Sequence, residues 1–184
     1  LRHIQIVSFV NPAVVPGMAD AEDVVAGIEK VPGVAYTGLW LNQKGLERAI
    51  ATGRLDVVGS INLSASDGFL KRNQNRTAEE QLSLQREMLG IYAEHKIPIR
   101  RATITAAFGC NFDGSIPPSR VVARVGQTLD LAAEQGATLG WVSLADTMAW
   151  ATPATVEAVV GAVRERFPDL ELCLHLHDTR GMGI

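Results

Sequence analysis

Short runs of β-branched and aromatic residues alternate along the whole chain with amphipathic stretches of helical period. Residues 4–10 (IQIVSFV) fit a strand. A Pro/Gly loop over 11–17 follows, and Asp20 is placed to cap a helix carrying Val24, Val25, Ile28 and Val31 at helical spacing, stopped by Pro32-Gly33. Residues 36–41 predict a second strand, 44–51 a helix with Gly53 at its C-cap, and 55–63 a third strand. The polar stretch SASDGFLKRNQNR reads as a loop leading to Thr77-Ala78-Glu79-Glu80, a capping box that opens a long helix through Tyr92. Residues 97–106 predict a strand and 109–118 a loop. The next helix bears Val121, Val122, Val125 and Leu129 on one stripe and ends near Gly136. A strand over 139–145, a helix opened by Thr152-Pro153 with Val156, Val159, Val160 and Val163, and a last strand over 170–177 complete the series.

Six strands alternating with five helices imply parallel strands, because each helical crossover returns the chain to the same end of the sheet. The class is α/β. An open doubly wound sheet and a (β/α)8 TIM barrel both accommodate the pattern. No glycine-rich phosphate loop follows the first strand, which disfavours the dinucleotide-binding version of the open sheet. Six strands are two short of a closed barrel.

Composition narrows the function classes. With 184 residues, 47% of them hydrophobic, one domain with a sizeable core is expected. The net charge of −3 argues against non-specific binding to nucleic acid or anionic lipid. No apolar run approaches the ~20 residues of a spanning helix, so no membrane association is expected. Two cysteines, Cys110 and Cys173, suit a reducing compartment, and the expectation is a soluble, cytoplasmic protein.

The candidate chemistry concentrates at strand ends. In the last strand Leu170, Leu172, Leu174 and Leu176 share one face, expected to pack on helices, while Glu171, Cys173, His175 and His177 share the other. Imidazoles two residues apart can reach one divalent cation from the same side; the bland alternative is a hydrogen-bonded pair in a polar interior. Asp146 ends the preceding strand, where a carboxylate can act as a base or orient a ligand, or simply terminate the strand through turn hydrogen bonds. Ser143 points to the same side as Trp141 and Ala145. Ser8 with Asn11, Asn42 with Lys44, and Ser64, Ser66 and Asp67 have ordinary loop composition. The basic run over 71–76 suits either phosphate binding or a solvated loop, and Cys110 suits a buried thiol.

Taken together these segments resemble the 3-hydroxy-3-methylglutaryl-CoA (HMG-CoA) lyase family of metal-dependent TIM-barrel lyases. The resembling stretches are SFVNPAVVPGMAD (residues 8–20), LNQKGLERAIATG (41–53), SDGFLKRNQNRTAEE (66–80), AAFGCNFDG (106–114), VSLADT (142–147) and HLHDTRG (175–181). HxHDT alone is shared with condensing enzymes of the isopropylmalate synthase type, an alternative kept alongside a non-catalytic barrel remnant. The resemblance implies a single TIM-barrel catalytic domain over 1–184, covering about six strands and lacking the first and last units. It implies cleavage of a 3-hydroxyacyl-CoA such as HMG-CoA to acetyl-CoA and acetoacetate, with Mg2+ or Mn2+ as cofactor. His175 and His177 would be metal ligands, and Asp146, Ser143 and His175 the catalytic candidates. Gln5, Ser8, Asn42 and Lys44 are the substrate-binding candidates. Gln5 stands where the lyases carry a glutamate; it keeps hydrogen bonding but carries no charge and cannot be a base, which bears on substrate or rate. The acyl-CoA substrate is the expected partner, and the open edges of an incomplete barrel are compatible with self-association.

Overall fold

The computed structural model describes residues 2–182. Its strands and helices alternate: β1 (His3–Ser8), α1 (Ala21–Gly27), β2 (Ala35–Leu39), α2 (Gln43–Ala51), β3 (Gly59–Ser64), α3 (Asp67–Gln74), α4 (Ala78–Glu94), β4 (Ile99–Thr105), α5 (Pro118–Glu134), β5 (Trp141–Ala145), α6 (Pro153–Arg166) and β6 (Leu172–His175). A 3-10 turn, Pro16–Met18, precedes α1. The chain divides into two compact units, one up to Val58 and the other from Gly59.

In the first unit β1 and β2 pair in parallel. Phe9, Trp40, Leu46 and Ala49 supply its buried apolar contacts. α1 is shorter than the valine spacing predicts. It ends at Gly27, and only Val25 of the stripe is fully buried, with Val24 and Val31 exposed. Asp20 occupies the N-cap position but makes no capping hydrogen bond through its side chain. The stop at Pro32-Gly33 is a turn of its own, closed by Val34 N–H donating to the Val31 carbonyl.

In the second unit β3, β4, β5 and β6 form one parallel sheet in that order. Register sorts its faces. Ile61, Ala102, Val142 and Leu172 align in one cross-strand row, and Leu63, Ile104, Leu144 and Leu174 in another. All six of these residues on β3, β4 and β5 are fully buried, with α4 packed on β3 and α5 on β3 and β4. The opposite face is polar: Asn62, Thr103, Ser143 and Cys173 form one row, with Ser60 and Arg101 on one side of it and Ser64 and Thr105 on the other. The leucine face of β6 departs from expectation, since Leu172 and Leu176 are half-buried and Leu174 is exposed. No helix follows β6 among the described residues, so nothing there covers that end of the leucine row.

β3 lies at the edge of this sheet, and two of its outward N–H groups are satisfied by a helix rather than a strand. The Gln85 side-chain oxygen accepts from Asn62 N–H at 2.8 Å and that of Gln81 from Ser64 N–H at 3.0 Å. Both glutamines are buried and stand one turn apart on α4, matching the two-residue repeat of the strand edge. The capping box of α4 has both halves, Thr77 with Glu80, and Thr152 caps α6.

α3 corrects the reading of 64–76 as a loop. Its only buried residue is Leu70, so it has no apolar stripe. It is fastened at its start instead: Ser66 Oγ accepts from Phe69 N–H and donates to Asp113 at 2.7 Å, and Asp113 also accepts from Gly68 N–H. These donors, the Gly68 N–H first, hold the Asp113 carboxyl below its usual range. Cys110 is buried against the same hydroxyl, 3.0 Å from Ser66 Oγ. The Ser66 proton is engaged by Asp113, so the thiol is the donor of that pair.

Candidate active site

The C-terminal ends of β5 and β6 carry four of the residues singled out from the sequence. His175 pairs with Ala145 across the strands and lies on the polar face, two residues beyond Cys173. The ladder continues one step further, because Asp146 N–H donates to the His175 carbonyl at 2.8 Å. His177 lies past the strand end, where its Nδ1 meets the Asp146 carbonyl oxygen. A carbonyl oxygen only accepts, so Nδ1 carries a proton, and in the neutral form of the ring the lone pair is on Nε2. The two imidazole rings are neighbours, with centroids 5.1 Å apart and planes tilted by 50°.

Asp146 is 1% exposed. Its Oδ1 accepts from Trp150 N–H at 2.6 Å and from Ala151 N–H at 3.0 Å, which folds residues 146–151 into a compact loop. Its Oδ2 is buried with no hydrogen-bond partner among the described residues. A buried carboxylate oxygen without a partner is costly and marks a place where a donor from a ligand or a water would be favoured. The turn-capping alternative and the functional one therefore meet in one side chain, with one oxygen used locally and the other left over. Ser143 stands two residues before Ala145 on the polar face and is half-buried.

Three residues that drew no role from the sequence tie this loop to its neighbours. Thr147 Oγ1 accepts from Ala106 N–H at 2.8 Å, binding it to the end of β4. The Trp150 indole N–H donates to Asn111 at 2.7 Å, and its ring lies so close to Gly109 that a Cβ there would meet Trp150 Cε3 at 2.8 Å. Arg180 donates to the carbonyls of Ala149 and Ala151. Beside His177 and Arg180 opens a cleft of about 230 Å³, lined also by Thr152, Pro153, Val156 and Leu176.

The remaining candidates belong to the first unit. Ser8 ends β1, and Gln5 lies within it, exposed and paired with Thr37. Asn42 caps α2, its side-chain oxygen accepting from Gly45 N–H at 3.0 Å, a local duty that uses the acceptor. Lys44 is exposed in the first turn of that helix. In the second unit the basic run over 71–76 falls on α3 and the left-handed turn after it at Asn75.

Among the described residues no three His, Cys, Asp or Glu side chains lie close enough together to hold a metal ion. The two imidazoles are neighbours and are the residues that could contribute to such a site. One already has its tautomer fixed by the carbonyl behind it, the usual arrangement of a metal-binding histidine.

Functional groups gathered at the C-terminal ends of parallel strands joined by helices are the arrangement of (β/α) barrel enzymes, and the likeness to known proteins falls in that class. The chain belongs to the HMGL-like family, whose model matches residues 9–184. It is 35% identical over 184 residues to hydroxymethylglutaryl-CoA lyase YngG of Bacillus subtilis, matching 100% of this chain and 58% of that one. Among solved structures it is similar to the HMG-CoA lyase of Brucella melitensis, with a TM-score of 0.84 and 35% identity over 98% of this chain and 61% of the other. An HMG-CoA lyase from A. baumannii in complex with coenzyme A and 3-methylmalate matches with a TM-score of 0.78 and 29% identity, over 98% of this chain and 56% of that one. The chain thus spans a little over half the length of these relatives, and its α/β fold corresponds to that portion of their barrels. No helix among the described residues is long and apolar enough to cross a membrane.

Proposed function

We propose that the protein takes part in carbon–carbon cleavage of a 3-hydroxyacyl-CoA of the HMG-CoA type, giving acetyl-CoA and a 3-oxo acid. The observation that carries this reading is the His175/His177 pair at the ends of the strands, with the His177 tautomer fixed, in a chain of the HMGL-like family. The lyase reading is favoured over condensation because the matched relatives are HMG-CoA lyases along the whole of this chain.

His175 and His177 would hold a divalent cation, Mg2+ or Mn2+, through Nε2 in the case of His177. When bound, such a cation supplies Lewis-acid polarisation of hydroxyl and carbonyl oxygens. In the cleavage the 3-hydroxyl proton leaves to a base and its oxygen becomes the new carbonyl. The C2–C3 bond breaks, its electron pair stays on C2 as the thioester enolate, and protonation there yields acetyl-CoA. Asp146 Oδ2, buried and without a hydrogen-bond partner among the described residues, is suited to accept a hydrogen bond from a substrate or water hydroxyl, and Ser143 to orient one. Gln5 cannot act as a base, so 3-hydroxyacyl-CoA thioesters other than HMG-CoA belong among the substrates to be tried.

The test is incubation of the full-length protein with HMG-CoA and Mg2+, following acetyl-CoA. Acetyl-CoA formation that His177→Ala abolishes supports the reading. No product from this or related thioesters, with metal present, overturns it.

A further inference from the structure

Arg180 reaches the loop that begins at Asp146, whose carbonyl stands behind His177. Its guanidinium donates to the Ala149 carbonyl at 2.9 Å and the Ala151 carbonyl at 2.8 Å, on either side of Trp150. The same short loop has its N–H groups held by Asp146 Oδ1. Ala149 within it adopts a left-handed conformation, φ 58°, which an alanine keeps only when its surroundings impose it. The Asp146 carbonyl at the head of this loop is the group that accepts the hydrogen bond from His177 Nδ1–H. His177 and Arg180 therefore grip one loop from the same stretch of chain, three residues apart.

We propose that Arg180 is a positioning residue for His177: by holding the Ala149 and Ala151 carbonyls it keeps the Asp146 carbonyl in place as the acceptor of Nδ1–H, so that Nε2 is the nitrogen presented to a divalent cation. This rests on the reading of His177 as a cation ligand. The sign of the effect separates positioning from charge. Arg180 is itself a cation close to a cation site, so electrostatics alone makes its removal tighten metal binding. Positioning makes removal weaken it, by about 10–100-fold for loss of a group that orients a ligand.

Two measurements on the full-length protein test this. In the metal-free protein at alkaline pH, nitrogen-15 NMR of the imidazoles is expected to show His177 as the Nδ1–H tautomer, and Arg180→Ala to shift it towards Nε2–H. Calorimetric titration with Mn2+ is expected to show weaker binding in Arg180→Ala and partial recovery in Arg180→Lys, which keeps a donor. The side chain is exposed, and circular dichroism is expected to show both variants folded. An Nε2–H tautomer in the unsubstituted protein overturns the proposal, as does an unchanged tautomer or tighter Mn2+ binding in Arg180→Ala. A tautomer that responds to Arg180 while neither protein binds Mn2+ upholds the positioning and overturns the cation reading instead.

Discussion

Replacing Gln85 by leucine removes the acceptor from a buried strand edge while leaving the space filled. Asn62 N–H then loses its 2.8 Å partner in a place where Gln85 is 7% exposed and water has little access. An unsatisfied buried donor costs about 1–3 kcal/mol. For a chain of this size each kcal/mol corresponds to roughly 2–4 °C, so the midpoint is expected to fall by about 2–12 °C. In urea the same loss moves the transition by about 1 M at a slope near 2 kcal/mol/M, with the slope unchanged. Gln81→Leu, which strands Ser64 N–H, is expected to behave alike, and the double variant to lose more than either. Gln135→Leu, at an exposed position, serves as control and is expected to stay within about 0.5 kcal/mol. Urea denaturation followed by far-UV circular dichroism reads all four proteins. A Gln85→Leu variant indistinguishable from the Gln135 control would refute the argument that α4 side chains complete the hydrogen bonding of β3.

Ala149→Gly is expected to stabilise the protein by up to about 1 kcal/mol, since glycine adopts φ 58° without the left-handed penalty; a lowered melting midpoint contradicts this. Gly45→Ala is expected to cost roughly 1–3 kcal/mol by overpacking, because a Cβ there would lie against the Phe9 carbonyl oxygen and 3.1 Å from Trp40 Cβ; a melt unchanged from the parent counts against it. Asp113 gives a pH dependence. Its folded carboxyl lies below its ordinary value through the Gly68 N–H and Ser66 hydroxyl, so the stability it contributes is present above about pH 4 and is lost as pH falls through the folded value. Asp113→Asn is therefore expected to show a flatter acid limb than the parent below that pH, and parallel acid limbs refute the assignment.

The elements most legible in the sequence are those whose own residues determine them. Ile61 with Leu63, and Val142 with Leu144, alternate as strands covered on one face must, and both pairs are fully buried. Thr77 with Glu80 marks a helix start through local hydrogen bonds, and so does Thr152, which caps the Thr155 N–H ahead of Pro153 in the first turn. Elements fixed from a distance are illegible. α3 buries only Leu70 and depends on Asp113, some forty residues on, so its polar composition reads as loop. α1 carries a valine stripe longer than the helix because Val31 lies in the following turn. At the site, alternation in β6 places His175 correctly on the polar face. The arrangement around His177 is invisible in sequence because Asp146, Ala149 and Ala151 contribute main-chain carbonyls, which leave no residue signature. The same holds for Gln81 and Gln85, whose partners are N–H groups of another element.

Trp150 gives the molecule an optical gauge of its own. The indole bridges the segment after β4 to the one after β5, bonded to Asn111 and lying against Gly109. Any occupant of the strand ends that parts those two segments exposes the ring further and reddens its emission, a change to be read against the emission of Trp40 and Trp141.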